Sequence, residues 1–230
     1  MTADTPAEPP PRKRVFLVDD HPMVRERLAL LIDQQPDLQV CGEAGDSIEA
    51  VQGIETTRPD IAIIDLSLRN SNGLDLIKDI KARGCRTPML VLSMHEENLY
   101  AERVLRAGAM GYVSKQENTR TILHAIRQVL DGGIHVSPGL ANSLVKRMVG
   151  GNKRTQVPDV GLLADRELEV FLLIGQGQVT RKIAEDLSLS VKTVESYRAR
   201  IKDKLRISDG VQLLQRAVQW VENHRDKNSG

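Results

Sequence analysis

Over the first 130 residues, short apolar runs alternate with stretches of helical periodicity. Val15–Val18, Leu38–Cys41, Ile61–Ile64, Met89–Leu92 and Met110–Val113 read as five strands. In the segments at about 22–34, 46–56, 73–83, 95–107 and 118–130, apolar positions recur at three- and four-residue spacing. Leu28, Leu31 and Ile32 are one such set, and Ile122, Ala125, Ile126 and Val129 another. Five strand–helix units at this pitch predict an α/β domain, a parallel sheet covered by helices on both faces. Boundary residues agree with this: Pro22 opens the first helix, Pro59 and Pro88 precede strands, and Gly84, Gly108 and Gly132-Gly133 fall just past helix ends.

The alternation stops near Asp131. Ser137-Pro138 predicts a short helix to about Met148, and Gly150-Gly151-Asn152-Lys153-Arg154, running on to Pro158, has a linker composition. From about 162 to 222 the pattern is helical throughout. Asp165 is expected to cap a helix with Glu167 and Glu169 near its positive end, and Thr180 to cap a short helix through Leu187. Ser190 then caps a longer helix from Val191 to about Leu205, which is helix-turn-helix spacing. The expected organisation is a disordered tail (1–13), a first domain (14–131), a linker with a short helix (132–160), a smaller all-α four-helix domain (161–223) and a second tail (224–230). No internal repeat is visible.

Composition narrows the function. At 230 residues two domains fit, and with 3% aromatic residues the cores must be built from Leu, Ile, Val and Ala, which argues against base-stacking platforms. The net charge of +1 decides nothing about nucleic acid, since binding depends on local clustering. Cys41 and Cys85 lie far apart outside any metal-ligand spacing and are expected as free thiols in a reducing cytosol. Arg12-Lys13-Arg14 is followed by only Val15–Val18 before Asp19, so no signal peptide is expected. No run approaches the roughly 20 apolar residues of a membrane span. A cytoplasmic protein without membrane contact is the expectation.

Asp19 and Asp20 end the first strand and Asp65 the third. Ligands of open parallel sheets bind beyond the carboxyl ends of the strands, so the three carboxylates are expected to converge. Three anions in one cleft repel, which a hard cation relieves; an all-oxygen set suits Mg²⁺ better than zinc or iron. One carboxylate can then act as nucleophile and become an acyl phosphate. Asp65 is the choice, because Ser67 and the segment from Arg69 to Gly73 leave access. A single strand-end Asp is usually a solvated turn residue; three of them, joined by Ser93 and Lys115 after two further strands, favour a site.

The long helix of the second domain places Val194, Tyr197, Ile201 and Leu205 on one stripe and Lys192, Glu195, Ser196, Ala199, Arg200 and Asp203 on the other face. From 192 to 206, Lys192, Arg198, Arg200, Lys202, Lys204 and Arg206 outnumber Glu195 and Asp203. Such a cationic helix suits phosphate-backbone contact. Periodicity alone equally allows a solvated helix of a protein-interaction domain.

Residues 14–131 resemble the receiver domains of response regulators. The similarity is carried by Val15-Phe16-Leu17-Val18-Asp19-Asp20-His21, by Ile63-Ile64-Asp65-Leu66-Ser67-Leu68 with Gly73, by Val91-Leu92-Ser93, and by Gly108-Ala109-Met110-Gly111-Tyr112-Val113-Ser114-Lys115. The resemblance implies a flavodoxin-like (βα)5 domain in which Asp19, Asp20, Asp65 and the Ser67 backbone carbonyl hold Mg²⁺. It further implies that a sensor histidine kinase phosphorylates Asp65, that Lys115 and Ser93 contact the phosphoryl oxygens, and that Tyr112 is the aromatic switch. Arg69 departs from a common proline.

Residues 162–222 resemble the DNA-binding domain shared by LuxR regulators and the NarL/FixJ class of response regulators, through Arg166-Glu167, Glu169-Val170, Gly177, Ile183-Ala184, Leu187, Ser190, Lys192-Thr193-Val194, Arg200-Ile201 and Lys204-Leu205. This implies a helix-turn-helix over roughly 178–197 whose second helix enters the major groove, with Lys192, Thr193, Glu195, Ser196, Ala199, Arg200 and Lys204 as DNA contacts. Lys182 replaces a common Glu and Tyr197 a common His, so base preference does not transfer; Glu195 could accept from cytosine N4. The expected whole is a non-enzymatic, phosphorylation-gated transcription regulator that binds double-stranded DNA as a homodimer. A phosphorylation-independent regulator is the open alternative. A hydrolase of the haloacid dehalogenase type would want a second Asp two residues after the first, and position 67 is Ser.

Overall fold

The computed structural model describes residues 11–68, 71–95, 97–149 and 159–225. The chain divides into two compact units, Met1–Arg147 and Met148–Gly230. The expected tails fall largely on positions 1–10 and 226–230, outside the described residues, as do residues 150–158 of the expected linker and Arg69.

In the first unit five parallel strands alternate with helices: β1 (Lys13–Val18), α1 (Pro22–Asp33), β2 (Leu38–Ala44), α2 (Ser47–Thr57), β3 (Ile61–Ile64), then a hairpin of β4 (Ser67–Leu68) and β5 (Ser71–Asn72), α3 (Gly73–Ala82), β6 (Met89–Ser93), α4 (Glu97–Ala107), β7 (Gly111–Ser114) and α5 (Thr119–Leu130). The sheet order β2-β1-β3-β6-β7 is the flavodoxin-like doubly wound order. Alternate strand residues explain the two helical layers. Val15, Leu17, Ile61, Ile63, Leu90, Leu92 and Val113 point to one face and pack with Leu28 and Ile32 of α1 and Ile122, Ala125, Ile126 and Val129 of α5. On the opposite face Phe16 fills the space left by Gly42 and Gly53, where an added Cβ would lie 2.5 and 2.3 Å from its ring. A register shift at Cys41 in the β1–β2 ladder sets Gly42 opposite Phe16.

The helix starts follow local chemistry. Pro22 stands in the first turn of α1, and Asp46 accepts from the Ile48 and Glu49 N–H groups at 2.8 and 2.9 Å to cap α2. Three features of the first unit depart from the sequence reading. The segment expected to be an open approach to Asp65 contains the β4–β5 hairpin, and the first unit continues beyond Asp131. There Gly133 N–H bonds to Gln128 O, and His135 forms a bridge beside Gly111 before α6 (Pro138–Val149) begins. At the other end β1 starts at Lys13, inside the expected tail, because Arg12 is held on the Asp33 and Gln35 carbonyls.

The second unit contains a 3-10 turn (Asp159–Leu162) and four α-helices among the described residues: α7 (Asp165–Gly175), α8 (Thr180–Asp186), α9 (Val191–Leu205) and α10 (Gly210–Arg225). Leu168, Phe171, Ile174, Ile183, Val194, Ile201, Leu213 and Ala217 are buried, with the Phe171 and Trp220 rings edge to face at 6.2 Å. Two expected caps are displaced by one residue: Ala164 and Val179 hold the N-cap positions, and Asp165 and Thr180 are the first helical residues. At α7 the cap is supplied in reverse, since the Glu167 carboxylate accepts from Ala164 N–H at 2.8 Å. Ser190 caps α9 as expected, accepting from Thr193 N–H at 3.0 Å.

Candidate functional site

The sheet order reverses between β1 and β3, and the residues just past their carboxyl ends meet there. Asp65 N–H donates to Val18 O at 2.8 Å, continuing the β1–β3 ladder, so Asp19, Asp20 and Asp65 emerge side by side. Asp19 and Asp65 are buried. Lys115, just past β7, reaches across with its Nζ 2.5 Å from Asp19 Oδ2 and 2.7 Å from Asp65 Oδ2. Burial pushes the Asp65 carboxyl above its ordinary value, against the pull of Lys115. Burial also disfavours the Lys115 cation, but the Asp65 and Asp19 carboxylates outweigh it and hold the ammonium above its usual range.

The remaining oxygen, Asp65 Oδ1, is buried without a hydrogen-bond partner among the described residues. Ligand atoms of Asp19, Asp20, His21 and Asp65 lie within 4.8 Å of one another. This predominantly carboxylate-oxygen set, in which Asp20 Oδ1 as well as Asp65 Oδ1 lacks a hydrogen bond, fits a hard divalent cation such as Mg²⁺. Sequence reasoning passed over two members of the cluster. His21 Nδ1 lies 2.6 Å from Asp20 Oδ1, and Arg25 Nη1 donates to the Asp19 carbonyl at 2.5 Å. His21 was visible in the motif only as a neighbour of the acid pair.

Gly73 fixes the loop behind Asp65. Its N–H bonds to Leu66 O at 2.9 Å, and a Cβ there would stand 2.1 Å from the Asp65 carbonyl oxygen and 2.8 Å from Leu66 Cα. The β4–β5 hairpin and the buried Asn72, which accepts from Leu74 N–H at 2.8 Å, turn the chain back at this distance.

Ser93 is fully buried at the end of β6; its carbonyl accepts from Lys115 N–H at 2.8 Å and its hydroxyl oxygen from His95 N–H at 3.3 Å. Tyr112 is turned inward, 1% exposed, and its hydroxyl donates to the His95 carbonyl at 2.6 Å. His95 also places Nε2 2.9 Å from Ser67 Oγ and stacks on Tyr100 at 4.7 Å. Ser67, Ser93 and Tyr112 are therefore tied through one loop residue whose partners lie 28, 2 and 17 positions away, which no local pattern announces. A groove of 760 Å³ opens beside Lys115, walled by Met23, Leu31, Leu92, Met94 and Ile122.

In the second unit α9 buries Val194, Ile201 and Leu205, while Tyr197 is half-buried. Lys192, Glu195, Ser196, Ala199 and Arg200 are exposed, and Thr193 is half-buried beside Ser190. Arg200 lies over the Tyr197 ring at 5.9 Å. Lys204 does not share their freedom: its Nζ is 2.6 Å from Oε2 of the buried Glu167, where it neutralises the carboxylate that caps α7.

Comparison with known proteins agrees with both halves. Residues 15–127 match the response regulator receiver domain, and residues 162–217 match the bacterial regulatory proteins of the luxR family. The oxygen regulatory protein NreC of Staphylococcus epidermidis is 33% identical over 210 residues, 89% of this chain and 96% of that protein. The response regulator UvrY of Escherichia coli is 33% identical over 204 residues, 89% of this chain and 93% of that protein. Among solved structures, RcsB from Salmonella enterica serovar Typhimurium, bound to the promoter P1flhDC in the presence of the phosphomimetic BeF3-, superposes with a TM-score of 0.60 at 26% identity, covering 90% of this chain and 98% of that one. The chain thus belongs to the NarL/FixJ class of two-component response regulators, DNA-binding transcription regulators that join a receiver domain to a LuxR-type helix-turn-helix domain.

Proposed function

We propose that Asp65 is the phosphoacceptor of this regulator, that a sensor histidine kinase in the cytoplasm supplies the phosphoryl group, and that the modification controls DNA binding by a homodimer through α9. One observation carries the reading: a buried carboxylate with one oxygen on Lys115 and the other without a partner, at the sheet's switch point. The partnerless Oδ1 has the lone pair that attacks phosphorus. The new O–P bond forms as the N–P bond of a phosphohistidine breaks, and its electron pair returns to the imidazole. Asp19, Asp20, Asp65 and the Ser67 carbonyl would hold Mg²⁺, whose charge offsets the anionic repulsion as the donor approaches. Lys115 favours the ionised form of Asp65 against the effect of burial and can follow the phosphoryl oxygens; Ser93, whose oxygen already accepts from His95, keeps its hydroxyl hydrogen for a phosphoryl oxygen. The apolar groove beside Lys115 offers a surface on which a donor protein can rest.

On the DNA side, the exposed face of α9 supplies Lys192, Ser196, Ala199 and Arg200, with Thr193 at the helix entry. Lys204, committed to Glu167, is left outside this set.

The test is intact-mass spectrometry of the full chain incubated with Mg²⁺ and a small acyl-phosphate donor. One hydroxylamine-labile phosphoryl group on wild type and none on Asp65→Asn is expected. No adduct, where a known receiver is labelled, would leave phosphorylation-independent regulation as the better reading.

A further inference from the structure

Glu195 is an acid on the face that also carries Lys192, Ser196, Ala199, Arg200 and, two turns further on, Asp203, where a polyanionic ligand is expected. A free carboxylate there would repel phosphates and shed water at a cost. It is not free. Oε1 accepts from Thr180 Oγ1, at the first residue of α8, at 2.9 Å, and Oε2 lies 3.6 Å from Arg198 Nε. Three of its neighbours have their own partners or lack a polar group: Ser196 Oγ donates back to Lys192 O at 3.0 Å, Arg200 sits over Tyr197, and Ala199 ends in a methyl. A side chain that is 56% exposed is thus held in one direction from both ends, with lone pairs left over.

The major groove shows four base edges. Guanine presents two acceptors and thymine an acceptor and a methyl, so both repel or ignore a carboxylate. Adenine presents a donor with an acceptor beside it, and cytosine a donor with no adjacent acceptor. Cytosine is the one edge against which a fixed, acceptor-only group pays no repulsion.

We infer that Glu195 is a base-selecting residue of this regulator, reading a C·G pair by accepting from cytosine N4–H, and that Thr180 is its positioning residue. The inference rests on α9 entering the major groove, as proposed above. It distinguishes Glu195 from a residue that only ties α8 to α9. Glutamine keeps the length and the bond to Thr180, yet its amide both donates and accepts and so matches adenine.

The experiment is selection by the full-length protein from duplexes with randomised half-sites, read beside its affinity for random-sequence DNA. Wild type should enrich cytosine at one position of each half-site by about 5- to 150-fold. Glu195→Gln should switch that same position to adenine, and Glu195→Ala should lose preference there alone. Thr180→Val should weaken the cytosine preference without replacing it. Unchanged preference in Glu195→Gln and Glu195→Ala, or a uniform loss across all sequences, overturns the inference. Retention on random DNA with no cytosine enrichment overturns it alone; no retention of wild type at all overturns groove entry by α9 with it.

Discussion

Gly73→Ala tests whether the loop behind Asp65 is shaped by the absence of a side chain. The new methyl would sit 2.1 Å from the Asp65 carbonyl oxygen and 2.8 Å from Leu66 Cα. An unstrained carbon–oxygen contact is about 3.3 Å, so the backbone on one side must move by roughly 1 Å. Both obstacles are main chain, and no rotamer change relieves them. Overpacking of this kind costs about 1–3 kcal/mol, which for a unit of this size lowers the unfolding midpoint by on the order of 3–10 °C. The same displacement is applied to the residue proposed to carry the nucleophile, and a misplacement of about 1 Å costs reactivity roughly a hundredfold. Gly84→Ala is the control: its φ is +76° and nothing lies within 4 Å of an added Cβ. It pays only the left-handed penalty of roughly 1–2 kcal/mol and should be phosphorylated at the wild-type rate. Thermal unfolding and the rate of phosphoryl incorporation are measured on both variants. Wild-type phosphorylation of Gly73→Ala, or equal losses of rate in the two variants, would refute the reasoning.

Lys115→Met leaves the Asp19 and Asp65 carboxylates buried without their cation and should cost about 3–5 kcal/mol in urea unfolding; adding Asp65→Asn should recover part of it, and no recovery would show that the two acids do not share the lysine. Lys204→Met should destabilise the second unit by about 1–3 kcal/mol, by stranding Glu167, yet leave the salt dependence of DNA binding unchanged, whereas Arg200→Ala should reduce that slope by about 1; a slope that falls with Lys204 would place it on the phosphates. His135 is held below the usual imidazole range by burial first and by His124 second, against Glu97 and Glu117. Protonation then favours the unfolded chain, so this contribution is complete above about pH 6.5 and lost as pH falls through the lower folded value. His135→Gln should flatten the fall in unfolding midpoint between neutral and mildly acidic pH, and an identical fall in both proteins would remove His135 as its source.

The sheet, its helices and the meeting of Asp19, Asp20, Asp65, Ser93 and Lys115 were legible because each depends on a short-range signal. Period-two burial marks a strand, and a polar residue directly after a strand marks the sheet's carboxyl edge. What the sequence concealed depends on distance. Gly73 could be seen as a motif residue but not as one whose missing Cβ faces the Asp65 carbonyl. His95 has no periodic signature, since its bonds run to Ser67, Ser93 and Tyr112. The ion pair of Lys204 with Glu167, 37 positions away, has no local signature on a helix read only as basic. The misplaced caps have the same origin: Asp165 and Thr180 have good capping chemistry, but Glu167 supplies the cap at Ala164 and Thr180 spends its hydroxyl on Glu195.

The exit of the chain from the first unit follows from these longer-range bonds. Strand β7 carries Tyr112, whose hydroxyl is on the His95 carbonyl and whose N–H is held by the His135 carbonyl at 2.9 Å. His135 N–H returns to Met110 O at 3.0 Å, and an added Cβ at Gly111 would meet the His135 carbonyl at 2.7 Å, so the connecting segment lies flush against the sheet edge. Two residues on, Ser137 N–H donates to Glu97 Oε1 at 2.7 Å, at the start of α4. The path towards α6 is thus fastened to the strand that bears Tyr112 and to the helix that follows the His95 loop. A charge added at Asp65 would compete for Lys115 and Ser93; their main chains are bonded to each other, and the Ser93 hydroxyl oxygen accepts from His95 N–H. A shift of Tyr112 or of the His95 loop would either carry residues 135–137 with it or break hydrogen bonds that are now made.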